Sequence, residues 1–179
     1  MSMFKVLPSL AGLVAATFTL AACAPAAPVQ RFGLGQTATP EQIRGWDIDV
    51  RADGAGLPAG SGSVAQGQRI YEARCLACHG VNGEKGPAPR LAGGQGTLAT
   101  KAPVLTVGSF WPYATTLYDY IHRAMPLDSP QSLSADEVYA VTAYTLYLNG
   151  IVGKDAVLDA GSLAKVRMPN RDGFRAVGQ

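Results

Sequence analysis

The chain has 179 residues, with 15 Lys+Arg against 13 Asp+Glu, and has room for one ordinary domain. Near-balanced charge excludes a nucleic-acid binder held by a basic face. A composition of 47% apolar and 16% charged residues excludes a charged disordered chain. The 21 glycines and 12 prolines indicate a loop-rich fold, and the three cysteines divide into one near the start and a pair in the middle.

Residues 1–22 combine Lys5, an apolar stretch over 7–20 and the small residues Ala21-Ala22 before Cys23. That order describes an export signal, and the run is shorter than the about 20 apolar residues of a membrane-crossing helix. Leu20-Ala21-Ala22-Cys23 resembles the bacterial lipobox, which implies that Cys23 is lipidated and becomes the first residue. Ordinary cleavage just beyond it is the alternative. The expectation is a periplasmic protein, anchored to a membrane through Cys23. Residues 23–62 read as a tether and N-terminal extension. An Ala/Pro/Gly-rich stretch comes first, then a helical turn opened by Thr39-Pro40-Glu41-Gln42. Trp46 to Arg51 alternates apolar with charged residues, as an extended segment lying on a surface does, and a Gly/Pro/Ser-rich loop follows.

Three helices have clear signals. Ser63-Val64-Ala65-Gln66 has capping-box spacing and opens a helix that runs into Cys75. A second is expected from Pro112, ending before Met125-Pro126 because the residue before a proline avoids helical geometry. The third opens at Ser134-Ala135-Asp136-Glu137 and ends at Asn149-Gly150. No run of paired strands is apparent. The stretches 80–96 and 97–109 have no predicted element, and loops that long in a compact domain usually wrap something.

Cys75-Leu76-Ala77-Cys78-His79 is C-x-x-C-H, the c-type haem attachment sequence. Two cysteines three apart reach the two vinyl groups on one porphyrin edge, and the adjacent histidine brings its imidazole under the iron. A zinc site would need further ligands with partner spacing, but Cys23 lies on the tether and His122 is the other histidine. A thioredoxin-like C-x-x-C would need a preceding strand, and a capped helix stands there instead. The expectation is one haem c, bound through Cys75 and Cys78, with His79 as an iron ligand. For the sixth position Met125 is favoured, held by Pro126 after a helix; Met168 and His122 are the alternatives.

Gly67, Tyr71, Cys75, Cys78 and His79 resemble the opening of class I cytochromes c. Val141, Ala143 and Tyr144 resemble the matching face of the last helix, and Pro89-Arg90-Leu91 resembles the proline loop. The resemblance covers residues 63–152. It implies a mainly α class I cytochrome c fold, its first and last helices crossing at a glycine and an aromatic, with 153–179 as an irregular C-terminal tail. It also implies that the Pro89 carbonyl accepts the His79 ring N–H and that Leu91 packs on the haem; Pro87 is open to the carbonyl role. Arg90 and Trp111 are candidates for contacts to the haem propionates.

A narrower resemblance joins Trp46-Asp47-Ile48, the loop from Asp53, the segment from Trp111 to Ile121 and Arg123-Ala124-Met125-Pro126. These are similar to the SoxD-type cytochrome subunit of periplasmic sulfur-compound dehydrogenases. The resemblance implies a molybdenum-containing dehydrogenase subunit as partner, sulfite or sulfane sulfur as the electron source, and a downstream cytochrome or oxidase as acceptor. The chain would then be an electron-transfer subunit with no catalytic residues of its own. Two other functions remain open: a general periplasmic shuttle between a respiratory complex and an oxidase, and a haem enzyme or sensor with an open iron. The second lacks a distal acid/base pair, since His122 is the one spare histidine.

Overall fold

The computed structural model describes residues 32–175, so the expected export signal and Cys23 lie outside the described residues. The chain divides into two compact units, Met1–Thr37 and Ala38–Gln179. The described part of the first, residues 32–37, contains no helix or strand.

The second unit opens with α1 (Pro40–Trp46), whose Thr39 side chain accepts from the Gln42 N–H while Gln42 reaches back to the cap backbone. None of its residues is buried. The segment after it turns inward at Val50, which belongs to the main hydrophobic cluster. Strand β1 (Ser61–Ser63) leads directly into α2 (Val64–Arg74), where Ser63 and Gln66 form the expected capping box. Cys75 ends α2, and the short α3 (Leu76–His79) follows, with a 3₁₀ turn over Val81–Gly83.

Helix α4 (Ala114–Ala124) begins two residues later than Pro112 suggests, because Tyr113 is extended at the cap and no side chain caps the helix. It stops before Met125, whose backbone is extended as the following proline requires. Helix α5 (Ala135–Leu148) is capped by Ser134 and Glu137. It forms the centre of the unit: from Val138 to Leu146 every residue is buried.

Helix α2 crosses α5 at a point that admits no side chain. A Cβ on Gly67 would lie 1.9 Å from the Ala140 carbonyl oxygen, and one on Gly62 would lie 2.2 Å from the Ala140 backbone nitrogen. One turn further, the Tyr71 and Tyr144 rings pack with centroids 5.2 Å apart. The α5 side of the crossing is therefore Ala140 and Tyr144, and Val141 faces elsewhere, into the cavity described below. On α4, Tyr118 packs its ring 4.5 Å from that of Tyr139.

Two expectations are corrected. Paired strands exist: β2 (Val157–Asp159) lies antiparallel to β1, with Gly62 opposite Leu158. Each strand has three residues, too few for alternation to show, and their partners are far apart in the chain. The C-terminal tail is also more than irregular coil. It carries β2 and α6 (Ala160–Leu163), with Asp159 and Ser162 forming a capping box. Leu158, Leu163 and Met168 from this stretch lie in the same hydrophobic cluster as α4 and α5.

Candidate haem site

The long connecting stretches 80–96 and 97–109 close over one side of the helices and leave a cavity of about 750 Å³. That volume falls within the about 300–1,000 Å³ typical of small-molecule sites. One wall holds Cys75, Cys78 and His79; Leu117, Ile121 and Met125 come from α4 and its end; Val141 and Thr145 come from α5. Pro89, Leu91 and Val107 are contributed by the long stretches, Trp111 by the residues just before α4, and Leu127 and Leu133 by the segment after it. The lining is mostly apolar, with its sulfur and imidazole groups supplied by the residues that the sequence singles out.

The imidazole is held by its own neighbourhood. His79 Nδ1 lies 2.9 Å from the Pro89 carbonyl oxygen. A carbonyl can only accept, so Nδ1 carries the proton and Nε2 keeps its lone pair free for a metal. The contact is to Pro89 and not to Pro87. Ala88 N–H donates to the Cys78 carbonyl at 2.8 Å, which folds this loop back onto the attachment turn. The Tyr71 hydroxyl donates to the Gly80 carbonyl at 2.9 Å, fixing the end of α3 to α2. Burial pushes the Tyr71 hydroxyl up to about 12, with the nearby Cys75 adding to the shift. Burial likewise pushes the Cys75 thiol up to about 11, against a smaller opposing effect of Arg74. Both cysteines are free of disulfide bonding.

The other candidates separate cleanly. Met125 lines the cavity. Met168 is 1% exposed in the hydrophobic cluster and is not among the lining residues. His122 is also outside the lining; its ring packs 6.0 Å from that of Tyr118, and its buried Nδ1 has no hydrogen-bond partner. Trp111 lines the cavity and meets the Tyr120 ring edge-on, with centroids 5.6 Å apart. Arg90 does not line it: its guanidinium lies 3.5 Å from the Glu84 carboxylate.

One organising residue escaped the sequence reading. Asn149, visible there as a helix end, is buried and joins the 80–96 stretch to the end of α5. Its Nδ2 donates to the Leu91 and Thr145 carbonyls at 3.0 and 2.9 Å, and its Oδ1 accepts from the Gly93 N–H at 3.1 Å. It thus pins Leu91 beside α5. The signal available was an Asn-Gly helix terminus, which reads as punctuation and not as a hub.

Residues 64–149 match the family model described as cytochrome c. The chain is also similar to a chain in the crystal structure of the sulfane dehydrogenase SoxCD from Paracoccus pantotrophus. The identity is 46% and the TM-score 0.78, over 83% of this chain and 73% of that one. The chain belongs to the cytochrome c family. This cytochrome is of class I and resembles the SoxD-type subunit. Covalently bound haem c and electron transfer come with that membership. No curated protein matched the chain. Among the described residues, no group of His, Cys, Asp and Glu offers a separate metal site, and no helix is long and apolar enough to cross a membrane.

Proposed function

We propose that this cytochrome carries electrons from a periplasmic molybdenum-containing dehydrogenase that oxidises sulfite or sulfane sulfur to a downstream cytochrome or oxidase. The observation that carries the reading is the 46% identity to a chain of a sulfane dehydrogenase, combined with a cavity whose donors suit one haem c. Cys75 and Cys78 would hold the haem by thioether bonds, and His79 Nε2 and the Met125 sulfur would be the iron ligands, all four residues lining the same cavity. When bound, the haem iron supplies a one-electron couple, and His/Met ligation in an apolar pocket sets that couple high. The protein's part is positional. The Pro89 carbonyl orients His79 and strengthens it as a donor. Leu91, Leu117, Ile121 and Val141 exclude water. Trp111 lies where a propionate contact is possible, and Arg90, paired with Glu84, is the weaker candidate for that role.

The docking face is apolar in this reading. Trp46 is 87% exposed and Ile43 stands one turn before it on α1; exposed aromatic residues are what protein interfaces use as anchors. Formal charge over the chain is only +2, so steering by long-range charge is weak. Cys23 anchors the protein to the membrane by lipid, firmly if it carries several acyl chains, since one alone binds marginally.

Reconstitution tests the reading. Sulfite or a sulfane-sulfur compound reduces the purified ferric cytochrome only when the dehydrogenase subunit is added, and Trp46→Ala raises the subunit concentration needed. Equal reduction by unrelated donors, at rates that fall steeply with salt, identifies a general shuttle instead. Cys23→Ser moves the protein from the membrane fraction to the soluble periplasm with its haem spectrum unchanged; wild-type protein that is already soluble and starts beyond residue 23 rejects the anchor.

A further inference from the structure

Helix α4 delivers Met125, and its two long faces have different partners. Leu117, Ile121 and Met125, spaced by four, line the cavity. Thr115, Asp119 and Arg123 are also spaced by four and sit two positions away, which at 3.6 residues per turn puts them on the opposite side. Each of these three meets the N-terminal extension. The Thr115 hydroxyl donates to the Ala52 carbonyl at 3.1 Å. Asp119, 8% exposed, accepts the Val50 N–H on Oδ1 at 2.8 Å. Arg123 bridges Asp119 Oδ2 and Asp49 Oδ1.

The extension is itself shaped to hold this position. Arg51 N–H donates to the Ala55 carbonyl at 2.8 Å, closing a turn. Gly56 has φ +90°, and a Cβ there would lie 2.0 Å from the Asp49 carbonyl oxygen. Val50 anchors the same segment in the hydrophobic cluster. The helix is therefore held from behind, along about two turns, by a segment that makes no part of the cavity lining.

We propose that residues 49–52 act as a strut that fixes the depth of α4, and that Asp119 is the positioning residue through which this strut holds Met125 on the iron. This rests on the assignment of Met125 as axial ligand in the proposed function. Asp119 does not line the cavity; its effect passes along the helix, with Met125 N–H bonded to the Ile121 carbonyl at 3.0 Å. Removing its carboxylate strands the buried Val50 N–H and leaves Arg123 tied to Asp49 alone, no longer to the helix. That favours states in which the end of α4 moves outward and a small ligand takes the place of the sulfur.

The experiment uses the full-length holoprotein and free imidazole, which competes with the methionine for ferric iron. Met125→Ala comes first: loss of the weak near-infrared methionine-to-iron band establishes the ligand, and its persistence rejects the Met125 assignment and the strut together. With the ligand established, Asp119→Ala is expected to bind imidazole about tenfold more tightly than wild type, which is about 1.4 kcal/mol, and to show a weakened band. Asp119→Asn keeps an acceptor for Val50 N–H and is expected to fall between the two. If Asp119→Ala does not accumulate, Arg123→Gln, at a more exposed position, is expected to tighten imidazole binding about threefold. Asp53→Asn, which alters an exposed carboxylate of the same segment, leaves binding unchanged. A lower Tm with wild-type band and wild-type imidazole affinity in whichever of the Asp119 and Arg123 variants fold overturns the proposal, because the contacts then only stabilise the fold.

Discussion

The two walls of the cavity are built by opposite means. On the attachment wall the fixing contacts are local: Tyr71 to Gly80 and His79 to Pro89 span nine and ten residues. On the Met125 wall they come from far away: Val50 to Asp119, Ala52 to Thr115 and Asp49 to Arg123 span 69, 63 and 74 residues. The difference follows from the donors. Two thiols and an imidazole within five residues are placed by one turn of backbone, which short loops can brace at little entropic cost. A single methionine at a helix end has no such neighbours and inherits its position from the whole helix. The helix must then be held by whatever part of the chain packs against it.

The largest expected effect comes from striking the attachment wall where α2 crosses α5, its tightest remote contact. Gly67→Val places a branched side chain against the Ala140 carbonyl, and the backbone cannot yield without separating α2 from α5. Folded holoprotein is expected to be lost from expression trials; recovery of a protein with wild-type Tm would mean that the wall does not depend on this crossing. Smaller is Met168→Ala, which empties a buried site in the C-terminal stretch. It is expected to cost about 2–5 kcal/mol in denaturant unfolding while leaving the methionine-to-iron band in place. Loss of the band would put Met168 in the wall and break the comparison.

The smallest effect sharpens the local side. Tyr71→Phe removes the hydroxyl that holds Gly80, at about 1 kcal/mol near neutral pH. The folded Tyr71 hydroxyl ionises near 12 where an exposed one ionises near 10. Its contribution is therefore whole below pH 10 and lost as the pH rises towards 12. The gap in Tm between wild type and Tyr71→Phe is expected to narrow over that window; a gap that stays constant would mean that the hydroxyl contributes through shape alone. Tyr118, Tyr139 and Tyr144 are also raised by burial, so the wild-type protein itself weakens at alkaline pH and the comparison must be made between the two proteins at each pH.

Legibility in the sequence follows the same division. The capping boxes at Ser63 and Ser134, the stop before Pro126 and the C-x-x-C-H turn are written in adjacent residues, and each is found where that pattern leads. The Pro89 contact was narrowed to two prolines, and the backbone geometry of the loop selects one. What could not be read was remote and short. Strands of three residues leave no periodicity, and Asp119 looks like an ordinary polar residue on an amphipathic helix until Val50 is seen beside it. The hub role of Asn149 and the burial of Met168 are hidden for the same reason: their partners lie in segments that carry no pattern of their own.

The pairing of β1 with β2 joins the residues just before α2 to the C-terminal stretch that follows the cytochrome c match, with Val64 N–H donating to the Ala156 carbonyl at 3.1 Å beside the strands. A chain that emerges N-terminus first therefore cannot close this ring until almost all of it is out. Until α5 packs on α2 at Gly67 and Tyr71, the Cys75–His79 turn that ends α2 has no long-range support. Closure of this clasp is thus the last pairing that the order of the chain permits, and a chain truncated before Val157 lacks the partner that holds β1 ahead of α2.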